Sequence, residues 1–148
     1  MTEPLYLDDI RAGDRFTSGE HTLDEAQIKA FATQFDPQPF HLDHDAAQAT
    51  IFGGLAASGW HTASITMKLM VTSGMRIAGG IVGAGGELQW PRPTRPGDVL
   101  HVEIEVLEVR PSASRPDRGM ATVRSETKNQ RGEVVQVLTS KMVIPRRV

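Results

Sequence analysis

The chain has no cysteine, which excludes disulfides, thiolate metal sites and a cysteine nucleophile. Aromatic residues are 5% of its 148 positions, and no apolar run approaches the roughly 18 residues of a membrane span. Excess positive charge is missing as well. The formal net charge is -2, with no dense basic stripe to offset it, so nucleic acid is not expected as the main partner. The opening Met1-Thr2-Glu3-Pro4 is acidic and lacks the apolar core of a signal peptide, so a soluble cytoplasmic protein is expected. What is present suits a packed core: 39% of residues are hydrophobic and 23% charged, in a length sufficient for one core and short for two. One domain over residues 1–148 is expected. The 14 glycines and 9 prolines fall mostly where turns are expected and do not indicate disorder.

Leu5, Tyr6 and Leu7 read as an extended lead, followed by a turn at Ala12-Gly13-Asp14 and a second extended piece through Phe16. Thr22 precedes Glu25 by three residues, a capping-box spacing, and Ala26, Ile28, Ala30, Phe31 and Phe35 supply an apolar helical stripe. That helix should stop near Asp36, ahead of Pro37. A short helical turn over His44 to Ala49 has Asp43 as its cap. After the break at Phe52-Gly53-Gly54, Ala57 to Ser73 is the longest helix expected, and it is apolar on most sides, as a helix buried within a domain is. Strands follow: Glu87 to Trp90, Val99 to Val109 with an irregularity near its end, Met120 to Lys128, and Glu133 to Ile144, the last two joined by a hairpin turn at Asn129-Gln130-Arg131-Gly132. Helices grouped before antiparallel strands give an α+β class.

The most chemically loaded stretch is Phe35-Asp36-Pro37-Gln38-Pro39-Phe40-His41-Leu42-Asp43. Each proline fixes its own φ and disfavours the helical region for the residue before it, so Asp36 and His41 are set across a stiff corner. A carboxylate and an imidazole so placed can share general acid–base work; equally, Asp36 can be a helix stop and His41 an ordinary semi-buried histidine. A metal site from His41, Asp43, His44 and Asp45 is a weaker alternative, since neighbouring ligands rarely all converge. Gly53-Gly54 and Ser58-Gly59 lie ahead of the long helix, where free backbone N–H groups can receive an anion or a developing oxyanion. His61 reads as a packing histidine, and Pro93-Thr94-Arg95-Pro96-Gly97-Asp98 as a turn into a strand.

These residues resemble a known family. Asp36-Pro37-Gln38-Pro39-Phe40-His41 is similar to the hydratase motif of the MaoC-like (R)-specific enoyl-CoA hydratases and dehydratases. Phe52-Gly53-Gly54-Leu55-Ala56-Ala57-Ser58-Gly59-Trp60-His61 resembles the opening of that family's central helix, and Trp90-Pro91-Arg92-Pro93-Thr94-Arg95-Pro96-Gly97-Asp98 its entry into the sheet. The resemblance implies a hot-dog fold, a long central helix wrapped by an antiparallel sheet, with a homodimer as the usual assembly. It implies reversible syn hydration of a trans-2-enoyl-CoA or acyl-carrier thioester to an (R)-3-hydroxyacyl thioester, with no metal and no cofactor. Asp36 and His41 would be the catalytic pair and the Gly59 N–H the oxyanion donor; Gln38, Phe40, Ser58 and Trp60 would border the substrate. Met67 and Met70, with Trp60, are candidates for an acyl tunnel, and Arg92, Arg95, Arg115, Arg118 and Arg124 for the CoA phosphates. Gln38 stands where the family usually has asparagine, Ser58 where many members have histidine, and Met67 where some carry a hydroxyl. The alternatives on the same fold are an acyl-CoA thioesterase and a non-catalytic acyl-thioester binding protein.

Overall fold

The computed structural model describes residues 3–147; Met1 and Thr2, on which the leader reading partly rests, lie outside them. The expected lead strand is only a bridge of Leu5 to Ile77, because the chain turns at once into a 3-10 turn over Leu7–Asp9. Two short strands follow, β1 (Arg15–Thr17) and β2 (His21–Thr22), both paired to the longest strand of the sheet. Thr22 is held in β2 opposite Val99, so it caps nothing. The cap of α1 (Glu25–Phe35) is instead Asp24, whose carboxylate accepts the N–H of Gln27 at 2.8 Å.

α1 ends at Asp36, ahead of Pro37, as expected. The stiff corner is more structured than expected: Pro39 opens a single helical turn, α2 (Pro39–Leu42), in which His41 is buried. Asp43 ends it and caps α3 (His44–Gln48), accepting the N–H of Asp45 at 2.9 Å. The chain then reverses at Gly53, whose φ of 61° lies in the left-handed region. α4 (Gly59–Val71) begins two residues later than the expected helix, since Ser58 caps it through a bond from the Trp60 N–H.

The strands β3 (Val82–Gln89), β4 (Val99–Pro111), β5 (Arg118–Lys128) and β6 (Val134–Pro145) form an antiparallel sheet in the order β1-β4-β5-β6-β3. α4 packs its buried side, including Ile65, Leu69 and Met70, on Leu100, Val102, Ile104, Val123 and Met142 of the sheet. The sheet enclosing one helix is the expected α+β hot-dog arrangement. β3 is longer than Glu87 to Trp90, because Gly83, Gly85 and Gly86 hid its first half from a pattern of side chains. Gly86 is required there, as a Cβ would stand 2.5 Å from the Thr139 carbonyl oxygen. The irregularity in β4 is a bulge between Val106 and Glu108 that turns Leu107 out to solvent.

α4 is not buried all round. Trp60, Met67 and Val71, on one stripe, are 60%, 40% and 44% exposed. Among the described residues, no helix is long and apolar enough to cross a membrane.

Candidate active site

The ends of α1, α2 and α4 meet at Asp36, His41 and Ser58. Two backbone-directed bonds fix His41: the Phe40 carbonyl accepts the Ala56 N–H at 3.1 Å, and Nδ1 of His41 lies 2.7 Å from the Ala56 carbonyl oxygen. A carbonyl only accepts, so Nδ1 carries a proton and Nε2 is the ring atom left for chemistry. That Nε2 is 3.3 Å from Oδ2 of Asp36.

Asp36 is held from both sides. Ser58 Oγ donates to Oδ2 at 2.7 Å, and the Gln38 amide donates to Oδ1. Burial pushes the Asp36 carboxyl up, but the hydrogen bonds from Ser58 and Gln38, with His41 beside them, outweigh it and hold the group below its ordinary value. The carboxylate is thus the preferred form.

Beside this pair lies a cleft of about 250 Å³, bordered by His41, Phe52, Ala57, Gly59, Thr62, the Trp90 to Pro93 segment and Thr94. The N–H of Gly59, at the first position of α4, meets no backbone acceptor among the described residues. Gly59 also has a packing role: a Cβ there would come within 2.6, 2.7 and 2.8 Å of three indole carbons of Trp90. Trp60 stands edge-on to Trp90, with ring centroids 5.4 Å apart.

The residues read from sequence as substrate-bordering are redistributed by the fold. Ser58 is fully buried and, like Gln38, faces the Asp36 carboxylate rather than the cleft. Phe40 packs edge-on against the His41 ring at 4.6 Å and against Phe52, bracing the imidazole. Trp60 borders Trp90, outside the cleft lining. Met67 and Met70, the tunnel candidates, are set apart: Met70 is fully buried in the core and Met67 lies on the exposed stripe.

The arginines separate in the same way. Arg95 donates to the carbonyls of Gly54, Leu55 and Phe52, clamping the turn ahead of α4, so its guanidinium serves structure. Arg118 and Arg124 pair with Asp117 and Glu126, and Arg115 lies in the loop between β4 and β5. Only Arg92 of the five borders the cleft, 3.4 Å from Glu133. The group His41, Asp43, His44 and Asp45 does not converge: Asp43 caps α3 and His44 contacts Gln48. His61 stacks on Phe31 at 4.6 Å and 3°, and burial, with His21 adding to it, pushes its imidazole below the ordinary value.

Sequence reasoning missed a buried polar layer beneath the cleft. Thr62 and Thr94 share a hydrogen bond at 3.1 Å, Thr66 contacts Thr127 at 2.6 Å, and Gln136 links Thr66 to the Trp90 indole. Two signals were present: hydroxyls at 58, 62 and 66, one helical turn apart from the cap of α4 onward, and a lone Gln136 among Val134, Val135, Val137 and Leu138.

Comparison with known proteins follows the same direction. The family model "MaoC like domain" matches residues 11–129. The chain is 34% identical over 130 residues to the uncharacterized protein YdeM of Bacillus subtilis, covering 86% of this chain and 89% of that one. It is 29% identical over 108 residues to the (R)-specific enoyl-CoA hydratase of Rhodospirillum rubrum, covering 72% of each. Among solved structures, a MaoC-like dehydratase from Rhodospirillum rubrum superposes with a TM-score of 0.95 at 63% identity, covering 97% of this chain and 99% of that one. Fold and sequence agree, and the chain belongs to the MaoC-like domain family.

Proposed function

We propose that this protein is a hydratase, or in reverse a dehydratase, acting on trans-2-enoyl and (R)-3-hydroxyacyl thioesters of CoA or an acyl carrier. The observation that carries the reading is the 3.3 Å approach of Asp36 and His41 beside a cleft that Gly59 also borders. An enoyl thioester is electrophilic at C3 only when its carbonyl is polarised, so hydration needs an oxyanion donor as well as acid and base. Gly59 N–H at the head of α4 supplies the first.

The proton balance closes on the pair. Asp36, held as a carboxylate, takes a proton from water as the water oxygen attacks C3. The C2=C3 electrons move toward the thioester oxygen and return to C2, which takes a proton from Nε2 of the imidazolium form of His41. Transfer from Asp36 to His41 resets the pair, and the sum is one water added. Arg92, at the cleft rim, is the arginine assigned to the anionic end of the substrate. The outer edge of β3, unpaired among the described residues, and the exposed Trp60, Met67 and Val71 support a homodimer as the working form.

Loss of enoyl-thioester absorbance over a panel of chain lengths tests the reading. Asp36→Asn and His41→Ala are each expected to lower kcat by about 10²–10⁴ with the fold intact. Release of free thiol in place of hydration would convert the assignment to a thioesterase.

A further inference from the structure

Gln136 is fully buried near the start of β6. A buried amide left unpaired is costly, so its bonds show what it is there to hold. Its Oε1 accepts the indole N–H of Trp90 at 2.9 Å, and its Nε2 donates to Thr66 Oγ1 at 3.0 Å. Thr66 has one hydroxyl proton, and it goes to the Thr62 carbonyl at 2.8 Å; Thr127, 2.6 Å away, is therefore the donor in their contact. Every bond in this chain is complementary, and it runs from β5 through α4 and β6 to a single indole.

That indole is 41% exposed, and two further contacts hold it. Its six-membered ring lies on Gly59, and Trp60 meets it edge-on. A thioester with its carbonyl at the Gly59 N–H and C3 near His41 therefore has Trp90 as its neighbouring apolar wall. The inner limit of the cleft is closed, since Thr62 and Thr94 are buried and bonded to each other. A cleft of about 250 Å³ is below the roughly 300–1,000 Å³ of sites that take drug-sized ligands.

We infer that Trp90 is the specificity-determining wall that restricts this site to short acyl groups, and that Gln136 and Thr66 are positioning residues that hold its tilt. The inference rests on the hydration site proposed above, and its test reads binding separately from turnover.

Dissociation constants for butyryl-CoA and octanoyl-CoA, which lack the reacting double bond, are measured by calorimetry on wild type, Trp90→Ala, Gln136→Met and the double variant W90F/Q136M. In the double variant neither partner of the lost bond is left unpaired, which guards against misfolding. Wild type is expected to favour butyryl-CoA, and Trp90→Ala to move the ratio of the two constants toward octanoyl-CoA by about tenfold or more. Gln136→Met and W90F/Q136M should move it the same way by less, though neither position 136 nor the indole N–H touches the ligand. An unchanged ratio in Trp90→Ala, an equal loss for both ligands in Gln136→Met, or no wild-type binding of either thioester overturns the inference. Intact binding with the expected ratios but no turnover of any enoyl thioester would leave it standing and remove the hydration reading instead.

Discussion

Ser58 shows how one side chain can serve two elements at once. Its oxygen accepts the Trp60 N–H, starting α4, while its proton goes to Asp36 Oδ2. Removing that proton donor leaves burial less opposed, so the Asp36 pKa should rise in Ser58→Ala, moving the acid limb of the pH–rate profile upward with about a tenfold loss in kcat/KM near the old limb. A profile that keeps its limb would assign Ser58 to capping alone. The same shift has a stability consequence. Asp36 is depressed in the folded state, so its contribution is present above the unfolded value of 3.8 and is lost as pH falls through the lower folded value. Ser58→Ala should shrink that contribution, seen as a smaller fall in urea midpoint on acidification. At this scale the Asp36 and His41 juxtaposition was legible, because two prolines limit where the intervening chain can go. That Ser58 and Gln38 face the carboxylate instead of the cleft was not, since it depends on where α4 begins relative to α1.

Among the elements, caps and breaks were read well where one residue decides them. Asp36 before Pro37, Asp43 ahead of α3 and the late bulge in β4 are local events. The first cap was misplaced because Thr22 and Asp24 compete for it, and pairing with Val99 removes Thr22 from the competition. Asp24→Ala should therefore destabilise the protein by about 1 kcal/mol in urea titration, while Thr22→Ala leaves α1 capped. The contact between α1 and α4 adds an acid-sensitive joint. His61 stacks on Phe31, and its Nδ1 is buried with no hydrogen-bond partner among the described residues. Its folded pKa lies below the unfolded value of 6.5, so the unfolded chain binds its proton first and stability falls as pH drops below that value, levelling off below the folded one. His61→Phe should abolish this component of the fall in Tm on acidification, measured against wild type in the same buffers.

In the whole molecule, strand order and the exposed stripe of α4 were beyond sequence reading, because both depend on which surfaces the sheet reaches. β3 lies at the end of the sheet, its outer edge unpaired among the described residues and its Val82 57% exposed. An apolar edge so open invites pairing with a second copy, and Val82→Lys should shift the sedimentation of the protein toward monomer at micromolar concentration. The two tryptophans of the chain, Trp60 and Trp90, stand together in one edge-on pair at the side of the cleft. All indole fluorescence of the protein thus originates at that one spot, so the unlabelled molecule is its own optical probe: occupancy of the cleft should register as a change in emission.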